Sequence, residues 1–327
     1  MKEKELEYGV SILCAVYNHE KYLRKCLDSF INQKTNFKYE AIIHDDCSTD
    51  NSKKIIEEYH EKYPDIIVPV YEEENQYSKG KRINIDILIP KIRGKYFALC
   101  EGDDYWINDN KLQKQYDFLE NNPDYSFCVH NALIVNKEGK TINKIDTVNK
   151  SRNVSCDEFI IGGGEFVATN SIFARSYLTK NLPPYFNDFS IDYLWQIYLS
   201  SQEKTYCFDE YMSSYRIGVE NSWTQRIKND IDKSIKIINK INYKLDEFNK
   251  YTNYKYAKSV KKRILMNEIK YYDLIGKYDK LKEKKYKDII KEYPIKIKTK
   301  YFIKIYMTFL YNKYRNRKGK IKKWVKF

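Results

Sequence analysis

The chain reads as an α/β protein: a mostly parallel, doubly wound sheet followed by a helical, basic C-terminal region. Three observations predict this. Short apolar runs alternate with segments of helical period through the first two thirds of the 327 residues. Three of those runs end in polar residues (Tyr17-Asn18, Asp45-Asp46 and Glu101 to Asp104), and such sheets collect ligands at the carboxyl ends of their strands. The charge is also divided. Residues 225–327 hold 32 Lys+Arg against 10 Asp+Glu, a net of +22, which leaves residues 1–224 at −8.

In chain order, Val10 to Tyr17 (VSILCAVY) has strand length and is apolar throughout. Asn18-His19 opens a helix with Tyr22, Leu23, Cys26, Leu27, Phe30 and Ile31 on one face. Tyr39 to His44 is the second strand, and a helix with Ile55, Ile56 and Tyr59 inward stops before Pro64. Ile66 to Tyr71 predicts a strand, Ile83 to Ile89 a helix, Tyr96 to Cys100 a strand and Lys111 to Leu119 a helix. Tyr125 to Val135 and Phe166 to Phe173 read as strands, with Gly162 to Gly164 as a loop between them. Ile191 to Ser200 has helical spacing, and a short strand at Thr205 to Phe208 precedes the segment Tyr211 to Arg216. Beyond Trp223 the composition turns to long Lys/Ile/Tyr/Asn helices, so the expected domains are 1–224 and 225–327.

The seven cysteines are scattered without a CxxC pair, which argues against a zinc site or a disulfide framework and for reduced thiols in the cytosol. The N-terminus MKEKELEYG lacks an apolar core, so no signal peptide is expected. No apolar stretch reaches the ~20 residues that span a bilayer. The expected location is cytoplasmic, either free or peripheral on the inner face of the cell membrane. His44 and His130 sit inside apolar runs and read as core histidines.

The most informative stretch is Cys100-Glu101-Gly102-Asp103-Asp104. Carboxylates crowded at a strand end repel one another, and the cluster is stable if a cation, most simply a divalent metal, sits among them. Gly102 would let the backbone turn sharply there. A solvated acidic loop is the alternative.

Three segments in a specific order and spacing, VSILCAVYNHEKYLRKCLDSFINQ, AIIHDDCSTDNS and GKYFALCEGDDYW, resemble the family 2 glycosyltransferases of GT-A fold over about residues 9–220. The form Glu-Gly-Asp-Asp-Tyr-Trp and the following KLQKQYDFLENNPDYSFCVHNA resemble the bacterial branch that acts on surface polysaccharides. The resemblance implies a Rossmann-like catalytic domain. It implies inverting, metal-dependent transfer of a sugar from a nucleotide donor, a UDP-sugar, to a glycan or lipid-linked acceptor. Tyr17 would pack on or beside the base. Asp46 would accept the uracil N3 hydrogen, with Asp45 supporting the turn. Asp104 would ligate Mg²⁺ or Mn²⁺, and Asp103 would hold the ribose or sugar. Among Lys79, Lys81 and Arg82, Arg82 is the expected contact to the donor, and Arg216 matches a basic position near the diphosphate. Asp192 in SIDYLW would be the general base, with Asp188 as fallback. Glu101 stands where the family often has Asp, and its role is unassigned. An alternative of another class is a catalytically silent nucleotide-sugar or glycan-binding module of the same fold.

The resemblance stops near 224. Beyond it, YFIKIYMTFLY and KYRNRKGKIKKWVKF mix cations with apolar residues and suit an anionic membrane surface. A lysine-rich bundle is the alternative, and nucleic acid is disfavoured because no recognised motif accompanies the charge.

Overall fold

The computed structural model describes residues 8–189, 191–219, 222–228 and 230–307. Of the stretch from Tyr301 onward expected to face a membrane, residues 308–327 lie outside them. The chain divides into two compact units, Met1–Gln225 and Arg226–Phe327.

The first unit is built on one ten-stranded mixed sheet. Strand β1 (Tyr8–Val16) pairs in parallel with β2 (Tyr39–Asp45) and β4 (Gly94–Leu99), and β2 pairs in parallel with β3 (Ile67–Tyr71). All seven residues of β2 are buried, as expected for a strand covered on both faces. Helix α1 (Glu20–Ile31) buries Leu23, Cys26, Leu27 and Phe30 against this half, and α2 (Ser52–Lys62) buries Ile55 and Ile56. The strand carboxyl ends therefore share one edge.

Past β4 the sheet changes character. A two-residue strand β5 (Tyr105–Trp106), helix α3 (Lys111–Asn121) and strand β6 (Tyr125–Val135) come next. They are followed by β7 (Thr141–Ile145), β8 (Arg152–Asn153) and helix α4 (Cys156–Gly162), which opens with a capping box of Ser155 and Glu158. Strand β9 (Phe173–Arg175) runs antiparallel between β4 and β6. After helix α5 (Asp192–Gln202), β10 (Lys204–Arg216) runs parallel to β6 and antiparallel to β5.

Three local expectations change. Residues 83–91 form a π-helical turn, Ile83–Leu88, and a 3₁₀ turn, Ile89–Lys91, in place of an α-helix; Pro90 supplies no amide to continue one. The stretch 166–173 is mostly not a strand. A 3₁₀ turn at Thr169–Ser171 interrupts it, because fully buried Asn170 and Ser171 direct their hydrogen bonds to neighbouring elements. The two segments at 205–216 are one strand, with register shifts between Phe208 and Ser213 that let Asp209-Glu210 sit in it.

In the second unit, helices α7 (Ile231–Tyr251), α8 (Ala257–Ile275), α9 (Lys284–Lys291) and α10 (Ile295–Tyr306) follow a short α6 (Trp223–Lys228) at the boundary. Gly276, at φ 71°, ends α8 in the left-handed conformation that glycine adopts without strain. Ile269, Tyr278, Leu281, Tyr286, Ile289, Ile290, Tyr301 and Ile305 make its core. Among the described residues no helix is long and apolar enough to cross a membrane.

Candidate functional site

Two loops at the carboxyl edge are clasped to each other. Asn18 and Cys47, just past β1 and β2, take positive φ (56° and 60°), which brings the loops round abruptly. Asn18 donates its amide to Ser48 Oγ at 2.9 Å and accepts from the Thr49 amide at 2.8 Å. Asp50 accepts from the amides of Glu20 and Ser52 at 3.0 and 2.9 Å. Burial pushes the Asp50 carboxyl upward, but hydrogen bonds led by Ser52 outweigh it and hold the pKa below the usual value. This rigid clasp presents the Tyr17 ring, 44% exposed, at the edge.

Asp46 is buried beside it. Its carboxylate accepts from the amides of Gln76 (2.6 Å) and Tyr77 (3.1 Å), and its carbonyl accepts from Asn75 Nδ2 at 3.0 Å. Asp46 therefore anchors the 75–77 loop next to Tyr17 and keeps one lone pair on each carboxylate oxygen. Asp45 supports the turn by accepting from the Ser48 amide at 3.2 Å.

The acidic loop after β4 packs against the first clasped loop. A Cβ on Gly102 would fall 2.8 Å from His19 Nδ1 and 2.9 Å from Val16 Cγ2. The backbone turns here, with the Asp104 amide donating to the Glu101 carbonyl at 3.0 Å, and since the Gly102 φ is not positive glycine is needed for close approach. Glu101 is exposed at its surface, and the surrounding protein, then the charges of Asp192 and Asp103, raise its pKa well above the ordinary carboxylate value. Asp103 lies beside it, and among the described residues no hydrogen bond reaches its carboxylate.

Asp104 is different. It is 1% exposed, and both its oxygens are engaged: Asn170 Nδ2 donates at 3.0 Å and the Arg216 amide at 2.6 Å. Burial, then Asp103, pushes its pKa well up. The Arg216 guanidinium donates to the carbonyls of Asp103, Asn136 and Lys137 and stacks over the Tyr22 ring at 4.5 Å. Arg216 thus secures the acidic loop from behind.

Asp192 opens α5, and Thr169 Oγ1 donates to its Oδ2 at 2.5 Å. Burial raises its pKa, and the Thr169 hydrogen bond partly opposes this. Glu101 feels the charges of both Asp192 and Asp103, so the structure brings each of them near Glu101. Arg82 is held elsewhere: it pairs with Asp86 and donates to the Phe186 carbonyl at 2.5 Å, bracing the π-turn against residues 184–186. Lys79 is paired with Glu74. His44 and His130 are fully buried, and burial lowers the pKa of both, as core histidines require.

The turn Thr169-Asn170-Ser171 escaped the sequence reading. Thr169 orients Asp192, and Asn170 holds Asp104 while accepting from Ser213 Oγ at 2.6 Å and, at its carbonyl, from Trp106 Nε1 at 3.0 Å. The signal was present as three polar residues interrupting an apolar run. Among the described residues no three His, Cys, Asp or Glu side chains assemble into a preformed metal site. The donor set is hard oxygen and open, with an unbonded Asp103 carboxylate. It fits Mg²⁺ or Mn²⁺ only if a bound anionic substrate completes the coordination.

The family model described as "Glycosyl transferase family 2" matches residues 11–178. An uncharacterized protein of Mycobacterium tuberculosis is 36% identical over 166 residues, 51% of this chain and 46% of its own length. The putative teichuronic acid biosynthesis glycosyltransferase TuaG of Bacillus subtilis is 32% identical over 136 residues, 41% of this chain and 51% of its own. The matched segment thus spans about half the length of these curated relatives. Among solved structures, S. aureus TarS 1–349 in complex with UDP-GlcNAc superposes with a TM-score of 0.60 at 16% identity, covering 88% of this chain and 82% of that one. At that identity the likeness is one of fold.

Proposed function

The chain belongs to glycosyl transferase family 2, and on that premise we propose that it moves a sugar, with inversion, from a UDP-sugar to a glycan or lipid-linked acceptor of a bacterial surface polysaccharide. The observation that supports this is that Glu101 lies within electrostatic range of both Asp103 and Asp192, at the strand edge that also carries the loops of Tyr17 and Asp46. The TarS complex and the TuaG resemblance support the donor and acceptor classes.

In this reading Tyr17 stacks on the uracil, and a free lone pair of Asp46 accepts the N3 hydrogen. Asp103, whose carboxylate accepts no hydrogen bond among the described residues, faces the donor and would hold Mg²⁺ or Mn²⁺ together with Glu101. We move the metal role expected for Asp104 to Asp103, because Asp104 is 1% exposed and held by Asn170 and the Arg216 amide, whereas among the described residues no hydrogen bond reaches the Asp103 carboxylate. Bound there, the ion would neutralise charge on the leaving diphosphate. Arg82 acts as a brace of the donor-side turn, since Asp86 already neutralises it.

Asp192 is the general base. Thr169 occupies Oδ2 and fixes the rotamer, which leaves Oδ1 to take the proton of the acceptor hydroxyl as it attacks opposite the diphosphate. The raised pKa suits this role, because a carboxylate more basic than usual is a better proton acceptor near neutral pH. The test is transfer from a panel of nucleotide sugars, with the anomeric configuration of the product read by NMR. A UDP-sugar yielding the inverted anomer is expected. Hydrolysis and transfer absent with every UDP-, GDP- and dTDP-sugar, despite UDP binding, would establish the silent binding module instead.

A further inference from the structure

Helix α10 has two apolar faces, and only one is used by the fold. Tyr301, Lys304 and Ile305 are buried; Tyr301 and Ile305 join the second unit's core, and Lys304 is ion-paired with Asp273. At 100° per residue these three positions define one side of the helix. Ile295, Phe302, Ile303 and Tyr306 lie on the opposite side, and they are 81, 57, 37 and 53% exposed. The Phe302 and Tyr306 rings touch, with centroids 5.0 Å apart, so these two form one exposed aromatic patch. Lys296 and Lys300 flank it on one side and Lys298 on the other. Leaving this much apolar surface in water along three turns is unfavourable unless something covers it.

Charge indicates what the cover is. Glu292 is the last acidic residue of the chain; residues 293–327 carry 12 Lys and Arg and no Asp or Glu. A second copy of this surface would set lysines against lysines, and a nucleic acid would leave the aromatic and aliphatic stripe unsatisfied. An anionic bilayer offers both complements at once: headgroup charge for the lysines, and the acyl boundary for Ile295, Phe302, Ile303 and Tyr306. We propose that the outer face of α10 lies in the interface of an anionic lipid membrane, with the helix axis parallel to the surface. No described helix is long and apolar enough to span, so the protein would rest on the membrane.

Flotation of the full chain with vesicles tests this. Vesicles of phosphatidylcholine with phosphatidylglycerol should carry the protein to the top of the gradient, vesicles of phosphatidylcholine alone should not, and added salt should weaken the binding. Phe302→Asp replaces an exposed ring, so folding is preserved, and circular dichroism checks this. Its affinity for the anionic vesicles should fall about tenfold or more, the value expected when one large apolar side chain no longer inserts. Lys296→Glu with Lys300→Glu should weaken binding on its own. No retention of wild type on anionic vesicles would overturn the proposal. So would undiminished binding by Phe302→Asp, which would assign the contact to residues past 307. If sedimentation showed a wild-type dimer that Phe302→Asp dissolves, with no vesicle binding, the occupant would be a second copy and the membrane proposal would fall.

Discussion

The two units encode their chemistry in opposite ways. In the first, the informative residues are polar and lie at strand ends. A stiff sheet places Asp46, Asp103 and Asp192 where short side chains alone have no reach, and buried hydrogen bonds from Thr169, Asn170 and Arg216 hold the surroundings still. In the second, the interior is ordinary, a small aromatic and aliphatic core, and the information is in the surface: an apolar stripe set among cations. The net charges, −8 for 1–224 and +22 for 225–327, follow the same division. The difference teaches where to look. A site that must hold groups within tenths of an ångström depends on long-range order, whereas a surface that meets a fluid partner needs only helical periodicity and charge.

If the chemistry resides in the first unit, Asp192→Asn gives the largest effect. Turnover should fall 10²–10⁴-fold, as when a general base is removed, with UDP affinity unchanged by calorimetry. The wild-type pH profile should gain activity as pH rises through the Asp192 pKa, which burial sets above the ordinary carboxylate range. A limb at the ordinary value would break the assignment.

The contrast between neighbouring acids comes next. Asp103→Ala should fold normally, since no hydrogen bond is lost, yet lose most of the thermal stabilisation given by UDP with Mn²⁺. That stabilisation is ~2.7 kcal/mol when ligand stands at about 100 times its Kd. Retention of the full thermal shift would return the metal role to Asp104. Asp104→Ala should do the reverse and destabilise the protein by ~1–3 kcal/mol in urea titration, because buried donors on Asn170 and Arg216 lose their acceptor.

The last comparison concerns the scaffold rather than the chemistry. Lys111 is fully buried, donates to Gln115 Oε1 at 2.7 Å and lies 4.1 Å from the centre of the Trp106 ring; burial lowers its pKa to about 7. Between about 7 and the ordinary lysine value the unfolded chain binds more protons, so stability from this group rises with pH by ~1.4 kcal/mol per unit. Below about 7 the cost of burying the charge is fully present. Lys111→Met should flatten that slope and raise stability at neutral pH; an unchanged slope would show that Lys111 stays charged in the fold.

By itself, the sequence determined the α/β class, the parallel start of the sheet and the position of the acidic edge. β1, β2 and β4 carry short buried apolar runs (Ile12 to Val16, Ala41 to Ile43 and Tyr96 to Leu99), and α1 repeats its buried residues at helical spacing, so local composition suffices for them. It also singled out the acidic loop and Asp192 as residues to watch. Tertiary structure alone decided which acid is hydrogen-bonded into the scaffold. Asp103 and Asp104 are adjacent and chemically identical. They differ only in donors from Asn170 and Arg216, 66 and 112 positions away. The turn at 169–171 was illegible for the same reason: its polar residues look like a flaw in a strand until the groups they hold are seen. Period and composition are local quantities, whereas the orientation of a carboxylate depends on which distant donors the fold brings within 3 Å.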